Sequence, residues 1–521
     1  MQNAATRNAM SHPATDPAPR LAIPPGAGGL RKTDMRGLIL PRKPDYVVAS
    51  FLPDGHCPMF DPKDLARMIA DRADDLVVLG PADLAGRHPG EHPENFGAGI
   101  MVQPGSTAAA ADIIGWAADK GIPVVPQGGR SGLVGGNVSH PGEIILSTAR
   151  LNRIEAIHPD EKTAVVGAGV TLQALQDAAL THGLAPGIDL AARGTATIGG
   201  MVSTNAGGIL AFRNGVMRHQ VLGLEAVLPD GTVFSDMTRV VKVSAGPDLK
   251  QLFIGAEGAF GLVTRIVMKL EAVRSDRATA LIGVDDARTA LSIIGHFAAQ
   301  PAIRLEGCEL MWADFFHDSA RVQGFDTGFL EPGAGAVLLL EVSAESAEAA
   351  CDQLEAGLEA SWDRLGLKGA LAARSIDQSR RFWSLREASD FIYGEHPAAP
   401  SFDISVPPSA LDAYVGELRQ RLARLDPAWG AYVYGHVADG NLHISVTRAG
   451  HPDEAGKIAI EEAIYRGVRE MGGSFSAEHG VGLDKKHAYL AFADQEKQAL
   501  ARAIKHLIDP AGHFNAGKVP F

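Results

Sequence analysis

The sequence predicts an α+β protein of more than one domain. Residues 100–125 read β-α-β: apolar Ile100-Met-Val102, a helix-spaced run over 106–120, then apolar Ile122-Pro-Val-Val125. Glycine is concentrated in three separated segments between 126 and 264, whereas from 275 to 426 strands such as 336–342 alternate with helices such as 345–365. Two β-prone runs flank Asp439-Gly440 within residues 431–446, the signature of a tight hairpin.

A chain of 521 residues is long enough for two or three domains with substantial cores. With 46% apolar and 21% charged residues its composition is that of ordinary globular proteins. A net charge of −13 argues against a general nucleic-acid or anionic-membrane binder, both of which need a basic surface. Cys57, Cys308 and Cys351 are too few and too scattered for a disulfide framework. They read as small buried hydrophobes of a protein in the reducing cytoplasm. No run of about 18 apolar residues exists, so no transmembrane helix is expected. Residues 1–36 read as a mobile arm. Arg7, Arg20 and Arg31 leave an organellar transit peptide as the alternative, against which Asp16 and the prolines count.

Residues 37–95 form an N-terminal segment with a helix over 62–75, a strand at 76–79 and a Pro- and Gly-rich linker over 86–97. The strand of 122–125 then runs into a loop, 126–137, with five glycines in nine residues. Such a loop can turn backbone N–H groups inward and suits a pyrophosphate. No Gly-x-Gly-x-x-Gly opens a helix, so a Rossmann site is not supported. A second glycine-dense stretch, 187–208, mixes in Thr195, Thr197, Ser203, Thr204 and Asn205; a third follows at 252–264. Between them, 222–234 reads as a hairpin on a Pro-Asp-Gly turn. Together the three segments point to a long polar cofactor.

In 380–387, Trp383 and Leu385 read as core. Arg386 either grips a carboxylate bidentately or pairs with Glu387 or Asp390 on the helix surface. With Asp439-Gly440 as a two-residue tip, Ala438 pairs with Asn441, Val437 with Leu442 and His436 with His443, opposed Cβ atoms lying about 4.5–5.5 Å apart. Alternation puts Asn441 on the same face. Two imidazoles so placed can hold one metal ion, and Glu478-His479 can add a carboxylate and a spare base. An amphipathic helix is expected over 454–471 and a last helix ending near Ile508. Residues 512–518 mimic the start of a P-loop, but Val519 stands where Ser or Thr is needed and no helix follows.

These segments occur in a familiar order. Pro126-Gln-Gly-Gly-x-x-Gly-Leu-Val-Gly-Gly136, Ile198-Gly-Gly-x-x-x-Thr-Asn-Ala-Gly-Gly208, Gly435-His-x-x-Asp-Gly-Asn-Leu-His443 and Ser476-Ala-Glu-His-Gly-Val-Gly482 resemble the FAD-linked oxidoreductases of the vanillyl-alcohol-oxidase type. Within these the chain is similar to the D-lactate, D-2-hydroxyglutarate and glycolate dehydrogenase branch, over roughly 96–518. The resemblance implies a two-lobed PCMH-type FAD-binding domain at 96–274, an α+β cap domain with the metal site at 275–500, and a C-terminal segment, 501–521, that returns to the flavin. It assigns to FAD the residues Gln127, Gly128, Gly129, Arg130, Ser131, Gly132, Gly135, Gly136, Asn137, Thr197, Gly199, Gly200, Thr204, Asn205, Ala206, Gly207, Glu257, Gly258 and Asn515. Gly129-Arg130 stand where some relatives carry a flavin-linking histidine, so non-covalent FAD is expected.

The same resemblance makes His436, His443 and Glu478 ligands of a divalent metal, a set that suits Zn2+. His479 becomes the catalytic base, Asn441 a polar contact and Arg386 the carboxylate grip. The implied reaction takes a D-2-hydroxy acid to the 2-oxo acid by hydride transfer to flavin N5, with an electron-transfer flavoprotein or a quinone as acceptor and possible homodimers. The alternative is a flavoprotein oxidase, or an electron-transfer subunit of a glycolate-oxidase-like complex. A non-haem iron oxygenase would leave the glycine segments unexplained. D-2-hydroxyglutarate dehydrogenases usually place a hydroxyl residue four positions after the arginine and a lysine two before the aspartate of the 400–405 segment. Asp390 and Ser401 stand there, which favours a substrate tail that is neutral or differently charged. The 242–250 loop also departs from the branch.

Overall fold

Three sheets carry the chain in the computed structural model, which describes residues 61–70, 75–397, 399–447 and 454–521. The expected arm of 1–36, the transit alternative, residues 37–60 and Cys57 lie outside the described residues. The first sheet has β1 (Leu76–Leu79), β2 (Met101–Pro104), β3 (Val124–Gln127) and β4 (Ile144–Ser147) in the order β1-β2-β4-β3. Strands β2, β4 and β3 run parallel. The predicted β-α-β therefore exists with β4 between its strands, and its helix, Thr107–Asp119, is capped by the Ser106 hydroxyl on Ala109 N–H. Isoleucines of β4 are fully buried, as a central parallel strand requires.

The second sheet is antiparallel: β5 (Ile154–His158), β6 (Thr163–Gly167), β7 (Leu184–Pro186), β8 (Val221–Val227), β9 (Val233–Asp236) and β10 (Leu262–Ala272), in the order β5-β6-β10-β8-β9 with β7 also on β10. The predicted Pro-Asp-Gly hairpin is β8 and β9. The C-terminal tail comes back to the first sheet. Phe514 bridges Val124 in parallel, and Asn515 N–H donates to Val124 O.

The third sheet has β11 (Arg277–Val284), β12 (Arg304–Trp312), β13 (Ala336–Ser343), β14 (Ala370–Ala372), β15 (Ser401–Ser405), β16 (Gly430–His436) and β17 (Asn441–Thr447), ordered β14-β11-β13-β12-β16-β17-β15. Period-two alternation divides it. Cys308, Leu310, Ile404, Ala431, Val433, Leu442, Ile444 and Val446 join one core with the helices Ala287–Ala298, Ala347–Leu365 and Leu411–Leu425. The intervening residues of the same strands, Glu309, Asp403, Tyr434, His436, Asn441 and His443, face the other way. A helix, Ile376–Glu387, runs on that second side and packs Phe382 and Leu385 there.

Several expectations are corrected. Tyr434, not His436, lies opposite His443. The turn is Val437–Gly440, four residues, closed by Gly440 N–H on His436 O. Gly440 has φ 81°, and a Cβ there would come within 1.9 Å of Val406 O, so the glycine docks the turn. The predicted register is two residues out, and a shift of two preserves the face. The 454–471 helix ends at Tyr465 and continues as turns. Cys308 is buried as expected, but Cys351 is only half-buried.

Candidate functional site

An open cleft is walled by the three glycine segments. Its lining includes Gln127, Gly128, Gly129, Arg130, Ser131, Gly132, Gly136, Asn137, Thr197, Gly199, Gly200, Thr204, Ala206, Gly207, Glu257 and Gly258. Gly135, Asn205 and Asn515 are not in its wall. Asn205 ends the helix Ile198–Thr204 in the left-handed conformation and accepts Arg218 N–H. Asn515 donates its amide to Glu257 O at 2.8 Å. Glycine at 129 is required by packing: a Cβ would come within 1.8 Å of Thr195 O, so the first glycine loop lies directly on the second. Gln127 closes the first loop by donating to Asn95 O and Asn137 O, while its own Oε1 is buried without a partner. A cleft with glycine backbone on its wall, a largely apolar lining and unspent buried polar atoms fits FAD.

Glu478 and His479 also line this cleft, and at the same time they close on the histidine pair of the third sheet. One ligand atom from each of His436, His443 and Glu478 can be chosen so that all lie within 4.8 Å of one another. His436 Nε2 is 3.8 Å from Glu478 Oε1. The imidazoles of His436 and His443 are 5.6 Å apart and nearly perpendicular, and His479 stacks near His443 at 6.3 Å. Burial holds His443 well below the usual imidazole value, with Arg386 and His436 pushing the same way. Its ring is thus neutral and keeps a lone pair to donate. Two imidazoles and a carboxylate converging in this way fit a divalent metal.

Two buried carboxylates that sequence reasoning gave no role organise the site. Glu309, 1% exposed, lies opposite His436 on β12. Its Oε1 is 2.5 Å from His436 Nδ1, and its Oε2 accepts Arg386 Nε–H at 2.7 Å. Burial opposes its charge, but His436 and Arg386 outweigh that and bring Glu309 down to about 2. In the same way burial opposes the charged form of His436, yet Glu309 raises it to about 9, so a metal ion at this ring would displace the proton on Nε2. Arg386 thus pairs with neither Glu387 nor Asp390. It reaches from the helix Ile376–Glu387 to β12 and lies over the Tyr434 ring, 4.8 Å from its centroid. A single acid within the otherwise apolar stretch 307–312 is the available signal for Glu309.

Asp403, fully buried on β15, holds the 476–482 loop. Its Oδ2 accepts the N–H groups of Ala477, Glu478 and His479 at 3.0, 2.9 and 3.2 Å. Asn441 gives its amide to Asp403 Oδ1 and Ile404 O, leaving its own Oδ1 buried and unpartnered. Burial opposes ionisation of Asp403. His479, Lys485 and the Glu478 N–H overcome it and hold the carboxyl far below its usual range. From the cleft side Glu257 accepts Val481 and Gly482 N–H at 2.7 and 2.9 Å. The loop carrying Glu478 and His479 is therefore gripped both from the third sheet and from the wall of the cleft. Asp390 is exposed, and Ser401 bonds the hydroxyls of Tyr393 and Ser445.

A family described as FAD binding domain matches residues 98–236, and one described as FAD linked oxidases, C-terminal domain, matches 273–519. The chain is 33% identical over 426 residues to D-2-hydroxyglutarate dehydrogenase of Xanthomonas citri pv. viticola, covering 80% of this chain and 88% of that protein. It is 33% identical over 421 residues to the mitochondrial D-2-hydroxyglutarate dehydrogenase of Bos taurus, 81% of this chain and 76% of that one. Among solved structures, p-cresol methylhydroxylase superposes with TM-score 0.62 at 15% identity over 85% of this chain and 93% of that one. The 4-ethylphenol oxidase of Gulosibacter chungangensis superposes with TM-score 0.60 at 19% identity, over 82% and 90%. At such identities these likenesses bear on the fold, which is the PCMH type. The chain belongs to the FAD-linked oxidase family that includes the D-2-hydroxyglutarate dehydrogenases, and it is an FAD-dependent dehydrogenase acting on a CH–OH donor.

Proposed function

We propose that the protein oxidises a D-2-hydroxy acid to the 2-oxo acid, using non-covalent FAD and a divalent metal, zinc being the best match to the donor set. The observation that carries this reading is that Glu478 and His479 belong at once to the glycine cleft and to the histidine cluster. When bound, FAD supplies the hydride acceptor, and the metal held by His436, His443 and Glu478 supplies a Lewis acid that makes a substrate hydroxyl more acidic. His479 takes the hydroxyl proton as general base. Arg386, with its Nε committed to Glu309, presents its outer nitrogens to the substrate carboxylate and fixes the C2–H direction. Asn441 braces the floor of the site through Asp403.

The names of the relatives make D-2-hydroxyglutarate the first substrate to test. The uncharged hydroxyl set of Tyr393, Ser401 and Ser445 supports a neutral tail instead. Electrons pass on to an electron-transfer flavoprotein or a quinone. Among the described residues no helix is long and apolar enough to cross a membrane. A cytoplasmic or organellar-matrix location is part of this proposal, the bovine relative being named mitochondrial.

Anaerobic bleaching of the holoenzyme flavin tests the reading with D- and L-lactate, D-2-hydroxybutyrate, glycolate and both enantiomers of 2-hydroxyglutarate. D-acids should bleach the flavin and L-acids should not, with a neutral-tailed acid at least as fast as D-2-hydroxyglutarate. A holoenzyme that no D-acid reduces would overturn it.

A further inference from the structure

Glu309 is placed between the two groups on which the proposed reaction most depends. It sits on β12 directly across the ladder from His436, so backbone pairing fixes where its carboxylate lies. Each of its oxygens has a separate duty: Oε1 engages His436 Nδ1 and Oε2 engages Arg386 Nε. With Nδ1 occupied, only Nε2 of His436 can turn towards Glu478, from which it stands 3.8 Å. With Nε occupied and its plane lying over Tyr434, Arg386 has one edge left to offer, that of its two terminal nitrogens. A ligand histidine needs a partner on its other nitrogen to fix its tautomer and ring orientation. A bidentate arginine likewise needs its plane fixed.

We infer that Glu309 is a positioning residue that ties the metal-ligating His436 and the carboxylate-gripping Arg386 into one rigid unit, so that metal affinity and substrate recognition depend on the same buried carboxylate. This rests on the function proposed above. A merely structural ion pair at this place would contribute to folding, and its loss would leave both readouts in proportion to the protein still folded.

Glu309→Gln separates these cases, because an amide can accept from one partner but turns an N–H towards the other. Zinc affinity, measured by chelator competition on the FAD-loaded protein, should fall roughly ten- to a hundredfold. KM for the best D-acid should rise while flavin absorbance per chain stays at the wild-type level. Glu309→Asp keeps the charge but is one methylene short of spanning both partners, and should fall between wild type and Glu309→Gln on both readouts. If Glu309→Gln does not fold, the aspartate variant carries the test alone. Wild-type zinc affinity in folded Glu309 variants would overturn the inference. A wild-type protein that binds no divalent metal and oxidises no 2-hydroxy acid would instead overturn the functional reading beneath it.

Discussion

Glu478 Oε1 accepts the N–H of Gly208 at 2.6 Å, across 270 positions of chain. The contact joins the second glycine segment to the carboxylate of the proposed metal set. Glu478 is thus held by the wall of the flavin cleft while it faces the two histidines of the third sheet. A change at this residue should be felt on both sides.

Glu478→Gln keeps an acceptor for Gly208 but removes the charge. Zinc affinity should fall by at least tenfold, with FAD retained at one per chain. Metal analysis after dialysis, together with absorbance at about 450 nm, reads both quantities; equal zinc in variant and wild type would remove Glu478 from the ligand set.

His479→Ala should lower kcat by about 10²–10⁴, the range for loss of a general base, without displacing metal or flavin. The decisive measurement is the single-turnover rate of flavin reduction. A rate within threefold of wild type would transfer the base to another group.

Arg386→Lys keeps the positive charge and gives up the planar fork. KM for the best D-acid should rise by roughly tenfold or more, consistent with about 1.5–3 kcal/mol for a hydrogen bond to a charged group. An unchanged KM would show that the arginine serves Glu309 alone.

Asp403→Ala leaves three loop N–H groups and the Asn441 amide without the carboxylate that accepts them, and Lys485 without its counter-charge. It should destabilise the protein by about 3–5 kcal/mol, as expected when one member of a buried charge network is removed. The folded-state pKa of Asp403 is depressed, so its stabilisation is present above the ordinary 3.8 and is lost as pH falls below that value. The wild-type apoprotein should therefore lose stability on acidification more steeply than the variant. Parallel curves of Tm against pH would contradict this.

Glu257 has the opposite sign. Burial pushes its carboxyl from the ordinary 4.5 up to about 7, against the pull of Val481 N–H, Gly482 N–H and Lys485. A raised value means a contribution fully present below 4.5 and lost as pH rises through about 7, worth about 3 kcal/mol in all. Glu257→Gln should flatten the fall in apoprotein urea midpoint between pH 5 and pH 8. An identical slope in the two proteins would refute the shift.

Much of the fold is legible in the sequence because periodicity and glycine content are local properties. The three glycine segments, the β8–β9 hairpin and the strand of 336–342 all follow from short stretches of chain, whereas the return of the tail is implied only by the family resemblance. The pair His436 and His443 could be put on one face although the predicted register was two residues out. Side chains alternate with a period of two, so a slip of two leaves the face unchanged. Turn length was the part that composition could not give. Asp439-Gly440 is as compatible with the end of a four-residue turn as with a two-residue tip, and the docking of Gly440 against Val406 O selects the longer one.

What only the tertiary structure decided is the set of partners. Arg386 lies one and four residues from the acids that sequence offered it, yet it bonds Glu309, 77 positions away. Asp403 reaches 74 to 76 positions along the chain to hold the Glu478-His479 loop. Sequence by itself determined which chemical groups this protein possesses and which face of a strand each occupies, because backbone geometry enforces both locally. Which carboxylate answers which cation depends on the order of strands in the third sheet. That order is set by burying one apolar face against helices, a property of the whole domain and not of any segment within it.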